Sequence, residues 1–192
     1  MKPRLADWLE SLADRPTAMG GLFIIPFIES AVFPLPVDLL LLPLCLIRPR
    51  ASFSYASLCI AGSVAGAAVG YLIGATLFDT LGGGVLSAMG MNGRFEDVLR
   101  LYHDHAFLTL LFSGFTSIPF TVFTLAAGFH RTLALSTLLL GALAGRIIRF
   151  YFVAFLLFRF GPAAKPYVTR IVPAVSLILL IVFVITLLWL RR

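Results

Sequence analysis

The chain has 192 residues, of which 60% are hydrophobic and 12% charged, with a formal net charge of +6 and a mean hydropathy of +1.00. This composition excludes an ordinary soluble domain and a disordered chain, and it places the sequence among integral membrane proteins. The basic excess does not point to nucleic acid, because Lys and Arg collect at the ends of apolar segments, where lipid headgroups and insertion polarity account for them.

Residues 1–19 read as an interfacial amphipathic helix, with Leu5, Trp8, Leu9 and Leu12 on one face and Asp7, Glu10, Asp14 and Arg15 around the rest. The stretch lacks an uninterrupted apolar core and a small-residue cleavage site, so a cleaved signal peptide is not expected. The next stretch, GGLFIIPFIESAVFPLPVDLLLLPLCLI over 20–47, is long enough for a bilayer but is interrupted by Pro26, Pro34, Pro36 and Pro43. Each internal proline removes an amide donor and crowds the preceding turn, and the Phe33-Pro34-Leu35-Pro36 core favours extended backbone before its prolines. A re-entrant helical hairpin is predicted rather than one straight helix. Backbone freed at membrane depth must be satisfied inside protein or by a wet cavity, so such breaks mark sites. Glu29 and Asp38 flank the break. A carboxylate in an apolar segment is costly to bury charged, which makes both acids candidates for a proton-coupling role.

After the polar turn Arg48-Pro49-Arg50, the tract 52–78 carries Gly62, Gly66, Gly70 and Gly74 at four-residue intervals. One helix face is then nearly bare backbone, the main device for close helix packing in lipid. The same face is also a candidate surface for a homodimer, and a passage for a lipid chain is the functional alternative to packing. Cys45 and Cys59 both fall in apolar segments, where cysteine behaves as a small hydrophobe, so no disulfide or metal site is expected. Residues 79–105 turn polar and are predicted as a loop followed by a short amphipathic helix. His103, Asp104 and His105 cannot converge on one ion from consecutive helical positions, so they are expected to be a solvated or interfacial patch.

Residues 106–129 repeat the logic of the first broken run, with Pro119 central and Ser113, Thr116, Ser117, Thr121 and Thr124 around it. A second re-entrant hairpin is predicted. Its hydroxyls either contact a polar substrate, with Thr116, Ser117 and Thr121 as candidates, or bond their own preceding carbonyls. The tract 133–158 has Gly141 and Gly145 four apart and Arg146 and Arg149 three apart, so the arginines share a helix face. Arg146 lies ~20 Å along that helix, too deep for easy snorkelling, and it is expected to be buried against acids or to bind substrate. A terminal transmembrane helix is predicted within 162–192. The order hairpin, glycine-faced helix, polar loop, hairpin, glycine-faced helix is an architectural repeat, and an odd number of crossings between the units makes it an inverted one.

Four stretches carry a family resemblance: ESAVFPLPVD at 29–38, the four-residue glycine series ending in GYLIG at 62–74, GFTSIPFTVFTLAAG at 114–128, and GRIIRF at 145–150. In this order they resemble the DedA family (VTT-type membrane proteins), specifically its YqaA-like branch, over roughly residues 20–161. The resemblance implies two opposed re-entrant hairpins within an all-α membrane domain, a location in the inner membrane, and a role in moving lipids, either polyprenyl phosphate or phospholipid, with proton coupling. Glu29 and Asp38 match the family's acids. The chain departs at the second hairpin, where Thr116, Thr121 and Val122 stand in place of the family's basic residues, so the resemblance leaves Arg146 and Arg149 as candidates for the anion-binding role.

The function expected is therefore a lipid translocase, a flippase or scramblase, for an anionic lipid, with no cofactor. Glu29 and Arg146 are expected to couple across a shared wet cavity. The alternative is a proton- or cation-coupled transporter of a small soluble solute, whose site would open to water rather than sideways to lipid. An enzyme is not expected, since no clustered acids or catalytic histidine with basic partners occur in the apolar segments. The balance of Lys and Arg places the N-terminus, 48–50 and 160–170 on the cytoplasmic side.

Overall fold

A computed structural model of the chain describes residues 16–76, 84, 87, 90, 92–113, 119–129 and 133–190. All its regular structure is helical. In chain order the helices are α1 (Pro16–Ala31), α2 (Asp38–Ile47), a short 3-10 turn (Pro49–Ala51), α3 (Ser52–Thr76), α4 (Asn92–Phe112), α5 (Phe120–Gly128) and α6 (Leu135–Leu190). Two stretches, Pro49–Thr76 and Leu135–Gly161, are long and apolar enough to cross a membrane. The apolar helices α1 and α2 have 16 and 10 residues. At ~1.5 Å per residue each is shorter than a ~30 Å hydrocarbon layer.

The break at 32–37 falls where Pro34 and Pro36 require it. Both Val32 and Phe33 amides donate to the Ile28 carbonyl, at 2.9 and 3.0 Å, which closes α1, and the Leu39 amide donates to the Pro36 carbonyl at 3.1 Å as α2 begins. Pro119 likewise precedes α5 with an extended ψ of 140°, a conformation that starts a helix without requiring an amide donor. The helices α4 and α5 thus lie on either side of residues 114–118, which are outside the described residues. The segment 92–104 is helical, as expected of the amphipathic stretch, and it buries Phe95, Val98 and Tyr102. It continues to Phe112 through a kink at His105 (φ −150°, ψ 59°), whose carbonyl accepts the Thr109 hydroxyl at 2.9 Å.

The arms of the two broken pairs exchange partners. The first arm of each packs on the long helix that follows its own pair, α1 on α3 and α4 on α6, while the second arms cross over, α2 to α6 and α5 to α3. One core gathers Leu22, Leu41, Leu44, Tyr55 and Phe150, and the other gathers Val98, Leu110, Phe123, Leu125 and Leu138. Outside, Ile24, Leu72, Leu140, Phe152 and Phe155 are each more than half exposed. Large apolar side chains turned outward in this number suit a hydrocarbon surrounding.

The glycine face of α3 is filled from within the chain. Gly62 lies under the Phe23 carbonyl, Gly66 under the Phe27 carbonyl, Gly70 against the Ser30 carbonyl and Thr124 hydroxyl, and Gly74 under the Leu125 carbonyl, while Gly128 returns the contact on the Tyr71 carbonyl. The face is a packing groove occupied by α1 and α5.

Two other boundaries differ from the sequence reading. The interfacial helix expected over 1–19 lies outside the described residues as far as 15, and from Pro16 the chain is already in α1. The separate helix expected over 162–192 is continuous with the preceding one, α6 running unbroken to Leu190. A helix satisfies its own backbone, so continuity needs no partner where an interruption would. Arg48 to Arg50 and the Phe160 region do share one end, as expected, with Pro49 against Gly161.

Gly66→Val places a branched side chain against the Phe27 backbone, which cannot yield as a flexible side chain would. Overpacking of this kind costs ~1–3 kcal/mol. The variant is expected to unfold at lower temperature in detergent, whereas Gly20→Ala, with open space around it, should melt with the wild type.

Candidate functional site

The site forms where the broken end of α1 meets α6. Glu29 lies one turn before the break and Ser30 follows it, both buried. Arg146 projects from α6, just after Gly145, whose lack of a side chain lets the helix close on the Leu110 and Leu111 carbonyls of α4. Arg146 is 2% exposed and Glu29 8%. The Arg146 Nη2 donates to Glu29 Oε2 at 2.9 Å. The guanidinium also lies over the Phe120 ring, 4.1 Å from its centroid, and within 5.7 Å of the Phe150 centroid. A cation is thus held by one carboxylate and two aromatic faces, the arrangement that suits a weakly hydrated guanidinium rather than an ammonium.

A second pair lies beside the first. Arg149, one helical turn along α6, donates from Nη2 to Asp38 Oδ2 at 2.8 Å. Asp38 is the first residue of α2, where the helix dipole favours a negative charge. This pair is more open, the side chains being 30% exposed for Arg149 and 39% for Asp38. Both arginines therefore pair with the acids that flank the first break, one pair enclosed and one part-open. Two buried atoms of the group, Arg146 Nε and Asp38 Oδ1, have no hydrogen-bond partner among the described residues.

Hydroxyls complete the shell. The Ser30 hydroxyl lies 3.3 Å from Glu29 Oε2 and 2.7 Å from the Ser63 hydroxyl of α3. The break at 32–37 leaves the last carbonyls of α1 without helical partners. The Thr121 hydroxyl donates to the Glu29 carbonyl, and the Thr124 hydroxyl is shared between the Ser30 carbonyl at 2.8 Å and the Thr121 carbonyl at 2.9 Å. The second broken pair thus supplies the acceptor groups of the first with the donors that lipid cannot.

Each sequence-predicted residue can now be placed. Glu29 and Arg146 come together, in direct contact rather than across a wet cavity, and Asp38 and Arg149 form the neighbouring pair. Thr121 is fully buried with its hydroxyl on the Glu29 carbonyl. Thr116 and Ser117 lie outside the described residues. Pro34, Pro36 and Pro119 stand at the breaks, and Gly62, Gly66, Gly70 and Gly74 pack helices. Sequence reasoning did not single out Ser30, Ser63, Phe120 or Phe150. Their signal was adjacency: Ser30 follows Glu29, Ser63 follows a glycine of the groove, Phe120 follows Pro119, and Phe150 follows Arg149.

The described residues are helical, with two candidate membrane spans and two neighbouring ion pairs, one buried and one part-open. No known family profile matches it, and no solved structure matches it. An uncharacterized protein of Haemophilus influenzae is 29% identical over 137 residues, which is 71% of this chain and 70% of the relative. A second uncharacterized protein, from Histophilus somni, is 26% identical over 152 residues, 79% of this chain and 78% of the relative.

Removing one partner of a buried ion pair strands the other, at ~3–5 kcal/mol, whereas replacing both by apolar groups of similar volume is often neutral. Glu29→Met and Arg146→Met alone are expected to lower thermal stability in detergent sharply. The double variant should recover most of that loss, and additive losses in the cycle would mean that the two side chains do not interact.

Proposed function

We propose that this protein is a multi-pass inner-membrane transporter of the DedA type that moves an anionic lipid phosphate between leaflets together with protons. The observation that carries the reading is the enclosed Glu29–Arg146 pair, which joins a proline-broken helix to a candidate membrane span. An intramembrane ion pair is expensive to keep, and its retention favours function. The exchange of arms between the two broken helix pairs supports opposed re-entrant hairpins in an inverted repeat, with the break facing the bilayer midplane.

In this reading the carboxylates and the lipid phosphate compete for the same cations. A proton taken up by Glu29 removes the charge that holds Arg146. The guanidinium then has all its donors free for a phosphate oxygen, onto which it forks as it would onto a carboxylate. Loss of that proton restores the carboxylate, which reclaims Arg146 and releases the lipid. Asp38 and Arg149, part-open to the surroundings, perform the same exchange first and pass the headgroup inward. Charge is conserved, since one bound anion replaces one neutralised carboxylate, and the headgroup never sits unpaired in a medium of low dielectric. The N-terminus lies on the cytoplasmic side, with Arg48, Arg50 and Arg159 at that boundary.

The test is leaflet-resolved transport of fluorescent polyprenyl phosphate and phospholipid in proteoliposomes, with and without an imposed pH gradient. The wild type is expected to move an anionic lipid faster under a gradient. Glu29→Gln and Arg146→Ala, selected as folded and inserted, should fall at least ~10-fold, the factor equivalent to ~1.4 kcal/mol. Glu29→Asp should keep part of the rate, and Arg146→Lys should fall although its charge is kept, because an ammonium cannot reproduce the fork. Wild type that moves no anionic lipid, or Glu29→Gln at full rate under a gradient, overturns the proposal.

A further inference from the structure

The hydroxyls of Ser30 and Ser63 take no part in the anion exchange described above, and both are fully buried beside it. They stand 33 positions apart and meet because Gly62 and Gly66 let α3 close on the Phe23 and Phe27 carbonyls of α1. Ser30 is held through its own backbone, its carbonyl accepting the Thr124 hydroxyl at 2.8 Å. Its side chain therefore acts from a fixed base.

The direction of the hydrogen bonds follows from counting donors. The Ser30 hydroxyl donates to Glu29 Oε2 at 3.3 Å, and its oxygen lies 2.7 Å from that of Ser63. Ser30 has one proton and gives it to Glu29, so the proton between the serines belongs to Ser63. Ser63 makes no other side-chain hydrogen bond among the described residues. The chain thus runs from Ser63 on α3 through Ser30 to the acid, and it ends on the oxygen that also accepts Arg146 Nη2 at 2.9 Å. The two donors on Oε2 are unequal. The arginine contact has the length of a charge-assisted bond, whereas a hydroxyl fully engaged with a carboxylate sits at ~2.5–2.7 Å. The serine chain is slack while Arg146 is in place.

We infer that Ser30 and Ser63 are positioning residues that hold Glu29 when Arg146 is drawn away onto an anion. This role rests on the exchange proposed above, in which the acid must lose its cation and would otherwise be left as an unmet buried group. While Glu29 is a carboxylate, Ser30 closes on Oε2 as the arginine departs, and Ser63 polarises Ser30 from behind. Once Glu29 carries the proton, the same chain runs backwards: the acid O–H donates to Ser30, Ser30 to Ser63, and Ser63 to the Cys59 carbonyl one turn earlier in α3. Ser57 on the same helix already makes such a bond, to the Phe53 carbonyl at 2.8 Å, and it is open to a helical serine in general. Each hydroxyl keeps its own proton and only turns, so neither state of the acid strands a buried donor.

The test follows thermal unfolding in detergent for serine variants in three backgrounds: wild type, Arg146→Met, and Glu29→Met combined with Arg146→Met. With Arg146 gone, Ser30 is the one hydrogen-bond donor left to the Glu29 side chain among the described residues. Ser30→Ala is therefore expected to lower Tm about 3–12 °C further in Arg146→Met than in the wild type, the range for a hydrogen bond to a charged group in a chain of this size. Ser63→Ala should show the same excess at about 2–4 °C, as for a bond one step removed from the charge. Both excesses should vanish when Glu29 is also Met, and Ser57→Ala, on the outer face of α3, should act equally in all three. A Ser63→Ala loss that is equal in the three backgrounds is a packing loss and overturns the inference. A second readout needs no arginine variant. In the leaflet-resolved assay Ser63→Ala should move anionic lipid about fivefold more slowly than the wild type, and Ser63→Cys, which keeps a weaker donor, should recover part of the rate. Full rate in Ser63→Ala overturns the serine role and leaves the transport reading standing. A wild type that moves no anionic lipid overturns the transport reading, and with it the role in exchange, even where the unfolding series shows the chain bonded to Glu29.

Discussion

The structure depends on one enclosed ion pair. Glu29 and Arg146 are 117 positions apart, and each is buried in surroundings where a lone charge would be intolerable. Their contact fixes how the broken end of α1 sits on α6, and through it how the first half of the chain meets the second. The aromatic faces of Phe120 and Phe150 make up part of the solvation that a guanidinium loses on leaving water. Neither face can replace the carboxylate, so the cation remains available to any anion that reaches it when the carboxylate is neutral. A group whose burial is this costly, and whose partner is exchangeable, suits a carrier of anions better than a structural staple.

The second constraint is the backbone. A helix that ends inside an apolar region leaves carbonyls that lipid cannot satisfy. Here the Thr121 and Thr124 hydroxyls of α5 meet the Glu29 and Ser30 carbonyls of α1, and glycines on α3 let both helices approach closely enough for that to happen. Breaking α1 therefore places a charge pair at the break and binds the two broken helix pairs to each other. Any motion that separates α1 from α5 must give up these two hydrogen bonds, while a motion that opens α2 and Asp38 from α6 gives up only the part-open pair. The easier opening is on the Asp38–Arg149 side, which is where a headgroup would first meet the cluster.

Much of this was legible in the sequence because lipid imposes strong rules. An acid in an apolar run, a pair of arginines on one helix face, prolines at FPLP and glycines at four-residue intervals each have few physical explanations, and the structure places Glu29, Asp38, Arg146 and Arg149 in one cluster. What occupies the glycine face was not legible, since a groove of bare backbone does not name its partner, and a second copy fits the pattern as well as α1 and α5 do. The partner of the Thr121 hydroxyl was not legible for a related reason: it is a backbone carbonyl, a group every residue carries and no sequence pattern marks. The kink at His105 and the continuity of α6 past Pro162 depend on tertiary context that local propensity does not carry. The aromatic cage around Arg146 was visible only as two phenylalanines beside a proline and an arginine, a pattern common in any apolar chain.

The central claim is that Arg146 exchanges a carboxylate for a lipid phosphate. The most direct measurement is a solid-state NMR distance between 15N of the arginine guanidinium groups and 31P of an anionic lipid in proteoliposomes, compared between the wild type and Arg146→Lys at high and low pH. The account predicts a nitrogen–phosphorus coupling of direct contact, ~3–4 Å as for a charge-assisted hydrogen bond to phosphate, that grows as the pH is lowered and is lost in Arg146→Lys. A coupling that is identical in the two proteins at every pH, with Arg146 held on the Glu29 carboxylate throughout, would contradict it.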